Sequence, residues 1–563
     1  MAEAEIYADS GSLSRKVVTV SAGEAHTLAL TAFGVMFDFD FMREGDGSVY
    51  SWGRGTFGRL GAGSEVDRLF PAKVEFNSAD TRGNVKIVQV SAGAYHSLAL
   101  SDDGSIWSWG HNTYGQLGVN GENSLVPSLV QMFHELHPPT SITDHESITE
   151  TETRLQISSI KAGGMMSLAI DNLGSLWTWG NCPSQDTLTE NEFSLISTYT
   201  PIPIWNFHGQ TVVKVSCGNE HIVALVTTGE THNGDNLLCY SWGNNNHGQL
   251  GLGDTEFRTT PEIIKKFNQK SPYTAYEVAC GAFHTSILAK KDGDVSTSLC
   301  WTFGLGDNGQ LGQGSGTNSL YPEIVEGIPE NIWLISVDCG LFHTSVVSLE
   351  GYVWSWGMGN GLGLTESEDG DAFFPRVIPC NGLKYPYFKN PVQVACGAAH
   401  TILLGDNGCK IWSWGRGRSG VLGNGKVNDY FAPNLVLWPP LEQDFMENGN
   451  GKLVDNEKEL MEEIDLLNSK LLMMEKYVMV LHGSVFGRPF EEDKDVLVSL
   501  RKTGSFDVGK EWENMLESCD YGELLRLEMF YGKMIAGVKD KMMKVRIKEM
   551  IKECLESSKS MDY

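Results

Sequence analysis

Histidine recurs at one position of a short repeated motif, and a ring of histidines is the first candidate for chemistry. The six residues are His26, His96, His221, His284, His343 and His400. Imidazole binds zinc and transfers protons, but zinc-binding histidines typically lie three to five residues apart, and no pair here has that spacing. We therefore predict buried histidines that tie strand backbones together, with no metal site and no cofactor.

Cysteine also recurs at one position, in the last four copies of the same motif. Cys217, Cys280, Cys339 and Cys396 stand where the first three copies have Ala22, Ala92 and Ala162. Exchange with alanine predicts a small apolar filler and not a redox centre.

Motifs typical of enzymes are missing from the sequence. The glycine-rich segment 304–314 does not end in the Gly-Lys-Ser/Thr of a phosphate loop, and a Gly-x-Ser-x-Gly elbow does not occur. We find no nucleophile paired with a base, so we predict a protein without catalytic residues that is not an enzyme.

Composition limits the partners of this 563-residue chain. Its net charge of −28 argues against direct DNA binding, which requires cationic side chains on the phosphates, and favours basic proteins such as histones. No apolar run is long enough to span a membrane. Glycine accounts for 63 residues, about one in nine, which predicts many tight turns.

The elements that position these residues come from an internal repeat. Residues 20–30 read VSAGEAHTLAL, and similar segments occupy 90–100, 160–170, 215–225, 278–288, 337–347 and 394–404. Each predicts two short strands around a turn. An aromatic–glycine motif follows every copy, and we expect its aromatic ring to wedge between neighbouring sheets. These aromatics are Trp52, Trp109, Trp179, Trp242, Phe303, Trp356 and Trp414.

The spacing inside the repeat predicts the fold class. From the glycine of the aromatic motif to a proline that closes the unit is 18 residues in five units, 17 in the second and 21 in the third. Each unit therefore supplies four strands, and seven such units predict an all-β, seven-bladed β-propeller. The third unit is the weakest, because Met166 replaces histidine and the later Gly-Gln-Leu-Gly turn is absent.

The motifs Gly-x-x-His-Thr/Ser, Trp-Gly and Gly-Gln-Leu-Gly resemble those of the regulator of chromosome condensation repeat family, over residues 17–437. The resemblance implies a ring closed by pairing strands from both ends of the propeller. It also implies a protein-binding function, as in chromatin-linked or signalling adaptors of the nucleus. Nucleotide exchange on a small GTPase is the alternative that the family suggests.

Ultraviolet-B photoreception in plants is a third activity that the resemblance suggests. The residues before the aligned histidine position argue against it. Those photoreceptors repeat Gly-Trp-Arg-His-Thr. The two residues before the aligned histidine position here include neither tryptophan nor arginine in any of the seven copies, as in Glu24-Ala25 and Ala282-Phe283.

The predicted domains are a short N-terminal segment (1–16), the propeller (17–440) and an α-helical extension (441–563). An apolar insert at 31–44 is either an artefact of the gene model, such as a retained intron, or a docking finger. Residues 133–154 are rich in Ser, Thr, Glu and His, and predict a disordered surface loop.

The extension contains a coiled-coil-like heptad pattern over 453–481. Its apolar residues are Leu453, Leu460, Ile464, Leu467, Leu471, Met474, Val478 and Leu481. This seam predicts either a partner helix, including a dimer, or a small bundle with the later helices. Lysines crowd residues 539–552, as a solvated face or as a patch for nuclear import or an acidic partner. We expect a nuclear protein, with the cytoplasm as the alternative.

Overall fold

The computed structural model describes residues 16–38, 41–76, 85–135, 155–184, 193–207, 209–227, 237–291, 297–359, 363, 370–380 and 387–438. Side chains are described for all of these except residues 33–46 and 134–135. The chain divides into two compact units, 1–442 and 443–563. The predicted heptad seam and the rest of the helical extension lie outside the described residues.

The described residues contain thirty strands. In chain order they are β1 (Val17–Ala22), β2 (His26–Thr31), β3 (Phe33–Asp38), β4 (Phe41–Asp46), β5 (Val49–Gly53), β6 (Arg68–Lys73), β7 (Ile87–Ala92), β8 (His96–Ser101), β9 (Ile106–Gly110), β10 (Ser124–Leu129), β11 (Ile157–Ala162), β12 (Met166–Asp171), β13 (Leu176–Pro183), β14 (Leu195–Ile204), β15 (Thr211–Cys217), β16 (His221–Thr227), β17 (Leu237–Gly243), β18 (Arg258–Ile263), β19 (Tyr273–Cys280), β20 (His284–Lys291), β21 (Ser298–Gly304), β22 (Ser319–Ile324), β23 (Leu334–Cys339), β24 (His343–Ser348), β25 (Val353–Gly357), β26 (Ala372–Val377), β27 (Gln393–Cys396), β28 (His400–Gly405), β29 (Lys410–Gly415) and β30 (Tyr430–Leu435).

All of these strands except β3 and β4 form seven four-stranded antiparallel sheets, one for each repeat, and the predicted seven-bladed propeller is confirmed. Blade 1 contains β1, β2, β5 and β6; blades 2 to 7 each contain the next four strands in order. The second strand of most blades, such as β2 and β8, is buried along its whole length. Neighbouring blades cover both faces of that strand, which explains its nearly continuous apolar sequence.

The first strand of each blade lies closest to the axis, and the ring is closed by contact between β27 and β1. Gln393 joins the two strands, because its side-chain nitrogen donates to the Val20 carbonyl at 3.0 Å and its oxygen accepts the Val20 amide at 3.1 Å. No sheet mixes described strands from the two ends of the propeller. The expected closure by strand pairing is therefore wrong here, and side-by-side packing of complete blades replaces it.

Two irregular segments differ in extent from the predictions. The insert in blade 1 forms a hairpin, in which β3 pairs with β4 from Phe33 opposite Asp46 to Asp38 opposite Phe41. The first residues of the predicted loop at 133–154 belong to a short helix, α1 (Gln131–Glu135), and residues 136–154 lie outside the described residues. The ring of Phe133 is buried and meets Trp177 edge-on at 5.4 Å, so apolar packing holds this residue in the fold.

Candidate interaction surface

The order of strands in a blade gives the propeller two unlike faces. The connections from first to second strand and from third to fourth strand lie on one side, which we call the turn face. The connections from second to third strand and from one blade to the next lie on the other side, which we call the linker face. The turn face carries the Gly-Gln-Leu-Gly turns, as well as the residues just before each repeated histidine.

The repeated histidines connect neighbouring blades. The Nε2 atom of each bonded histidine lies 2.8–3.0 Å from the hydroxyl of a serine or threonine in the next blade. The pairs are His26 with Ser97, His96 with Ser167, His221 with Thr285, His284 with Thr344, and His343 with Thr401. Five of the six histidines therefore bind hydroxyl groups of the next blade, and not the strand backbones that were predicted. The Nε2 atom of the sixth, His400 at the closing interface, is buried without a hydrogen-bond partner among the described residues.

These pairs belong to a longer chain of hydrogen bonds that we call the polar latch. In the latch between blades 5 and 6, Thr344 donates its hydroxyl hydrogen to the carbonyl of Gln310 at 2.8 Å. The indole of Trp356 donates to the same carbonyl at 2.9 Å. Because the threonine hydrogen is used on the carbonyl, His284 must donate from Nε2 and is the neutral Nε2–H tautomer.

Burial keeps these histidines neutral. Removal from water lowers the pKa of His96, His284 and His400 to about 3, and the pKa of His221 and His343 to about 4. The pKa of His26 is also lowered, by burial and then by the charge of Arg59. The six neutral imidazoles each lie in a different interface, and all except that of His400 are hydrogen-bonded to the next blade.

The predicted blade aromatics occupy the same interfaces. All seven rings are buried. The indole groups of Trp52, Trp109, Trp179 and Trp356 each donate to a turn carbonyl of the preceding blade. At the closing interface, Trp52 of blade 1 donates to Val421 of blade 7 at 2.9 Å. All seven aromatic rings therefore pack inside the propeller, as predicted for wedges between neighbouring sheets.

A central cavity of about 450 Å³, which we call the channel, lies between the ends of the first strands on the turn face. Its lining includes the glycine of every repeated motif and the four aligned cysteines. Burial raises the pKa of Cys217 and Cys280 to about 12, so these thiols are protonated. Lys161 of blade 3 and Asp338 of blade 6 also line the channel. Burial has the largest single effect on the pKa of Lys161 and lowers it, but Asp338, Cys217, Cys280 and Glu277 together outweigh burial, and the pKa is raised.

An aromatic cluster lies on the turn face at blades 1 and 2. The ring of Phe57 lies 4.5 Å from His111 and 6.0 Å from Tyr95. Arg59 replaces the glutamine of the usual turn, and its guanidinium lies 4.8 Å from the Tyr95 ring centre while donating to the Ala94 carbonyl at 3.0 Å. This cluster was not predicted from the sequence, although the change from glutamine to arginine in one turn is visible there.

The turn face of blades 4 to 6 carries exposed aromatic and acidic side chains together, and we call it the acidic arc (Glu256, Asp307, Tyr321, Phe374). Gly253, in the turn that contains Glu256, donates its amide to Leu320, next to Tyr321, at 2.9 Å. Gly314, in the turn that contains Asp307, donates to Phe373, next to Phe374, at 2.8 Å. Tyr321 is 59% exposed and Phe374 is 52% exposed, so apolar rings and carboxylates share one surface.

Comparisons with known proteins agree with this geometry. The profile of the RCC1-like domain matches residues 48–451. This chain belongs to the RCC1-like domain family. The RCC1-like chain is 29% identical over 427 residues to the ultraviolet-B receptor UVR8 of Arabidopsis thaliana, covering 75% of this chain and 82% of the receptor. It is 27% identical to RUG3, a mitochondrial RCC1 domain-containing protein of the same plant, over 71% of this chain and 82% of RUG3.

Solved structures show the same fold for the RCC1-like propeller. Prp20p of Saccharomyces cerevisiae, studied for its binding to Gsp1p and histones, superposes with a TM-score of 0.53 at 21% identity, covering 75% of this chain and 88% of Prp20p. Within the described residues, no group of three or more His, Cys, Asp and Glu side chains could hold a metal ion. No helix of the described part is long and apolar enough to cross a membrane.

Proposed function

We propose that this RCC1-like protein is a non-enzymatic interaction scaffold of the nucleus that binds basic proteins, such as histones, through the acidic arc. The observation that carries the proposal is the pairing of exposed carboxylates with two exposed aromatic rings on adjacent blades. Exposed aromatic residues are enriched at protein interfaces, and a carboxylate rim attracts cationic partners. The net charge of −28 strengthens that attraction at long range.

A binding measurement with charge-reversed variants tests the proposal. The full chain is titrated against a fluorescent lysine-rich histone tail peptide at low salt. We expect Glu256→Lys with Asp307→Lys to weaken binding by roughly tenfold, because two exposed attractive contacts become repulsive. The matched control is Glu326→Lys with Glu330→Lys on the linker face, which changes net charge equally and should retain most binding. Equal losses in both variants, or no binding by the native chain, would contradict the proposal.

Nucleotide exchange on a small GTPase is the second candidate. It is supported by the shared fold with Prp20p, whose studied partners include Gsp1p. A nucleotide-release assay with the full chain and a labelled GTPase separates the two functions. A scaffold leaves the spontaneous release rate unchanged, whereas an exchange factor accelerates it.

A further inference from the structure

The connections between blades share a short pattern that leaves two residues free for function. In the connection from blade 4 to blade 5, Ile264 and Phe267 are fully buried, while Lys265 and Lys266 between them are exposed. The connection from blade 3 to blade 4 has the same arrangement, with Ile204 and Phe207 buried. Burial explains the apolar residue types of the two outer positions, Ile264 and Phe267. It does not explain why the two exposed positions between them are lysines.

Lysines collect at this point of the linker face, in a group that we call the lysine patch (Lys265, Lys266, Lys270, Lys291). The Lys266 ammonium lies 4.8 Å from the Trp301 ring centre and 5.6 Å from that of Tyr273. Tyr273 is the cross-strand partner of Lys291. Lys270 lies three residues before Tyr273, so the exposed ammonium groups share one neighbourhood.

Nearby carboxylates are engaged elsewhere. Glu262 accepts from Arg258 at 2.9 Å, and Glu277 accepts from Lys214 at 2.7 Å. Among the described residues, no carboxylate forms an ion pair with the four lysines of the patch. The patch therefore presents positive charge on a strongly negative molecule, with aromatic rings beneath it.

An exposed tryptophan stands on the neighbouring connection. Trp205 is 72% exposed and occupies the position that aligns with Lys265. The blade 3 to 4 connection packs on Tyr240 through Phe207, with ring centres 5.3 Å apart, and Tyr240 is the cross-strand partner of Ile263, next to the buried Ile264. The two connections are thus linked through blade 4, and tryptophan is a residue type that contributes strongly to protein binding.

We propose that the lysine patch binds an acidic segment of a partner protein, with Trp205 receiving an apolar residue of the same segment. Charge complementarity selects carboxylates as the ligand groups. The exposed Trp205 ring favours a polypeptide with an apolar side chain over a nucleic acid backbone. This surface faces away from the acidic arc, so the propeller would hold a basic partner and an acidic partner on opposite sides.

Binding of two fluorescent probes to the full chain tests this proposal. The first probe is a twelve-residue peptide of glutamate and aspartate with one central leucine, and the second is a single-stranded oligonucleotide of equal charge. We expect the peptide to bind at low salt and to be released as salt rises. Lys265→Glu, Lys266→Glu and Lys270→Glu together should weaken peptide binding by roughly tenfold or more, and the corresponding lysine-to-arginine variant should retain it. Trp205→Ala should weaken binding a few-fold.

The matched control reverses three cations on the turn face, Arg416→Glu, Arg418→Glu and Lys426→Glu, with the same change in net charge. Retained peptide binding in this control supports the patch. Equal weakening in both triple variants, absence of peptide binding by the native chain, or tighter binding of the oligonucleotide than of the peptide would overturn the proposal. Circular dichroism of each variant identifies any loss of folding, and the arginine variant then decides the outcome.

Discussion

Two interfaces of the ring solve the same packing problem with different chemistry. Between blades 4 and 5, His221 bonds to Thr285 at 3.0 Å, and Thr285 donates to the Gln249 carbonyl at 2.9 Å. Between blades 3 and 4, the aligned positions hold Met166 and Ile222, both buried in one apolar cluster. The histidine and the hydroxyl have been replaced together, so neither side is left with a buried polar group that lacks its partner.

A blade interface therefore depends on matched partners more than on any one residue. A buried polar chain is stable when all its members are satisfied, and an apolar pair of similar volume is an equivalent solution. The third unit, which is the weakest copy in sequence, is therefore complete in structure. The two interfaces should differ in their tolerance of volume, of lost hydroxyls and of acid.

The largest difference is expected for added volume at the glycine of the motif. A methyl group on Gly281 would lie against the His284 ring and 2.6 Å from the Gly340 carbonyl oxygen, a rigid surrounding. The same group on Gly163 would lie 2.8 Å from the Gly218 carbonyl oxygen and 2.7 Å from the Cys217 sulfur, but it would meet the flexible Met166 side chain, at 3.3 Å, in place of an imidazole ring. We expect Gly281→Ala to lower the free energy of unfolding by roughly 3 kcal/mol or more, and Gly163→Ala by about half as much, in denaturant titrations. Equal losses would contradict the distinction.

Removal of one hydroxyl tests the polar latch directly. Thr285→Val leaves the His221 Nε2–H and the Gln249 carbonyl without a partner in a buried interface, which should cost roughly 2 kcal/mol. Ile222→Val is the matched control in the apolar interface and should cost about 1 kcal/mol, since it removes one methylene group. Denaturant midpoints of the two variants measure the difference, and a smaller loss for Thr285→Val than for Ile222→Val would exclude the latch as a stabilising element.

Acid should weaken the polar interfaces selectively. Burial holds the pKa of His284 at about 3, below the ordinary 6.5, so the unfolded chain takes up its proton first as the pH falls. Stability is then complete above pH 6.5 and is lost toward pH 3, at roughly 1.4 kcal/mol per pH unit for each such histidine. The double variant His284→Met with Thr344→Ile introduces the apolar pair of the blade 3 to 4 interface. It should reduce the dependence of the unfolding free energy on pH by the contribution of one histidine, roughly 1.4 kcal/mol per pH unit. Unfolding free energies measured from pH 7 to pH 5 would show it, and an unchanged slope would contradict this account.

The smallest effect is expected in the channel. Cys280→Ala and Cys217→Ala introduce the residue that stands at the aligned position in blades 1 to 3. Each should change the free energy of unfolding by less than about 1 kcal/mol, because the removed thiol is neutral and replaceable by a methyl group. A much larger loss of stability in either variant would assign the cysteines a role beyond filling space. Reaction of the native thiols with a thiol reagent in the folded state would do the same.

The propeller could be predicted because its determinants are local and repeated. Alternating strands, tight turns and the constant distance to Pro71 and its equivalents recur seven times, so an error in one unit is corrected by the others. The partner of each histidine could not be predicted, because His26 and Ser97 are 71 residues apart and meet across two blades. Phe133 was assigned to a loop for a similar reason, since its buried position depends on Trp177 of the next blade.

The candidate surfaces depend even more on the tertiary fold. Glu256 and Asp307 lie in turns of different blades, and Tyr321 and Phe374 lie in strands of different blades. None of these residues stands out in the sequence of its own segment. The exposed pair Lys265 and Lys266 has no special pattern until burial of Ile264 and Phe267 shows that packing does not constrain it.

The amino-acid sequence by itself determined the number of blades, the four strands in each and the chemical type of the interface residues, because these follow from local periodicity and motif spacing. The tertiary structure alone decided how the ring closes, which hydroxyl each histidine binds and which charges share a face. Those properties depend on contacts between segments that are far apart in the chain, and such contacts form only when the seven sheets are arranged around one axis.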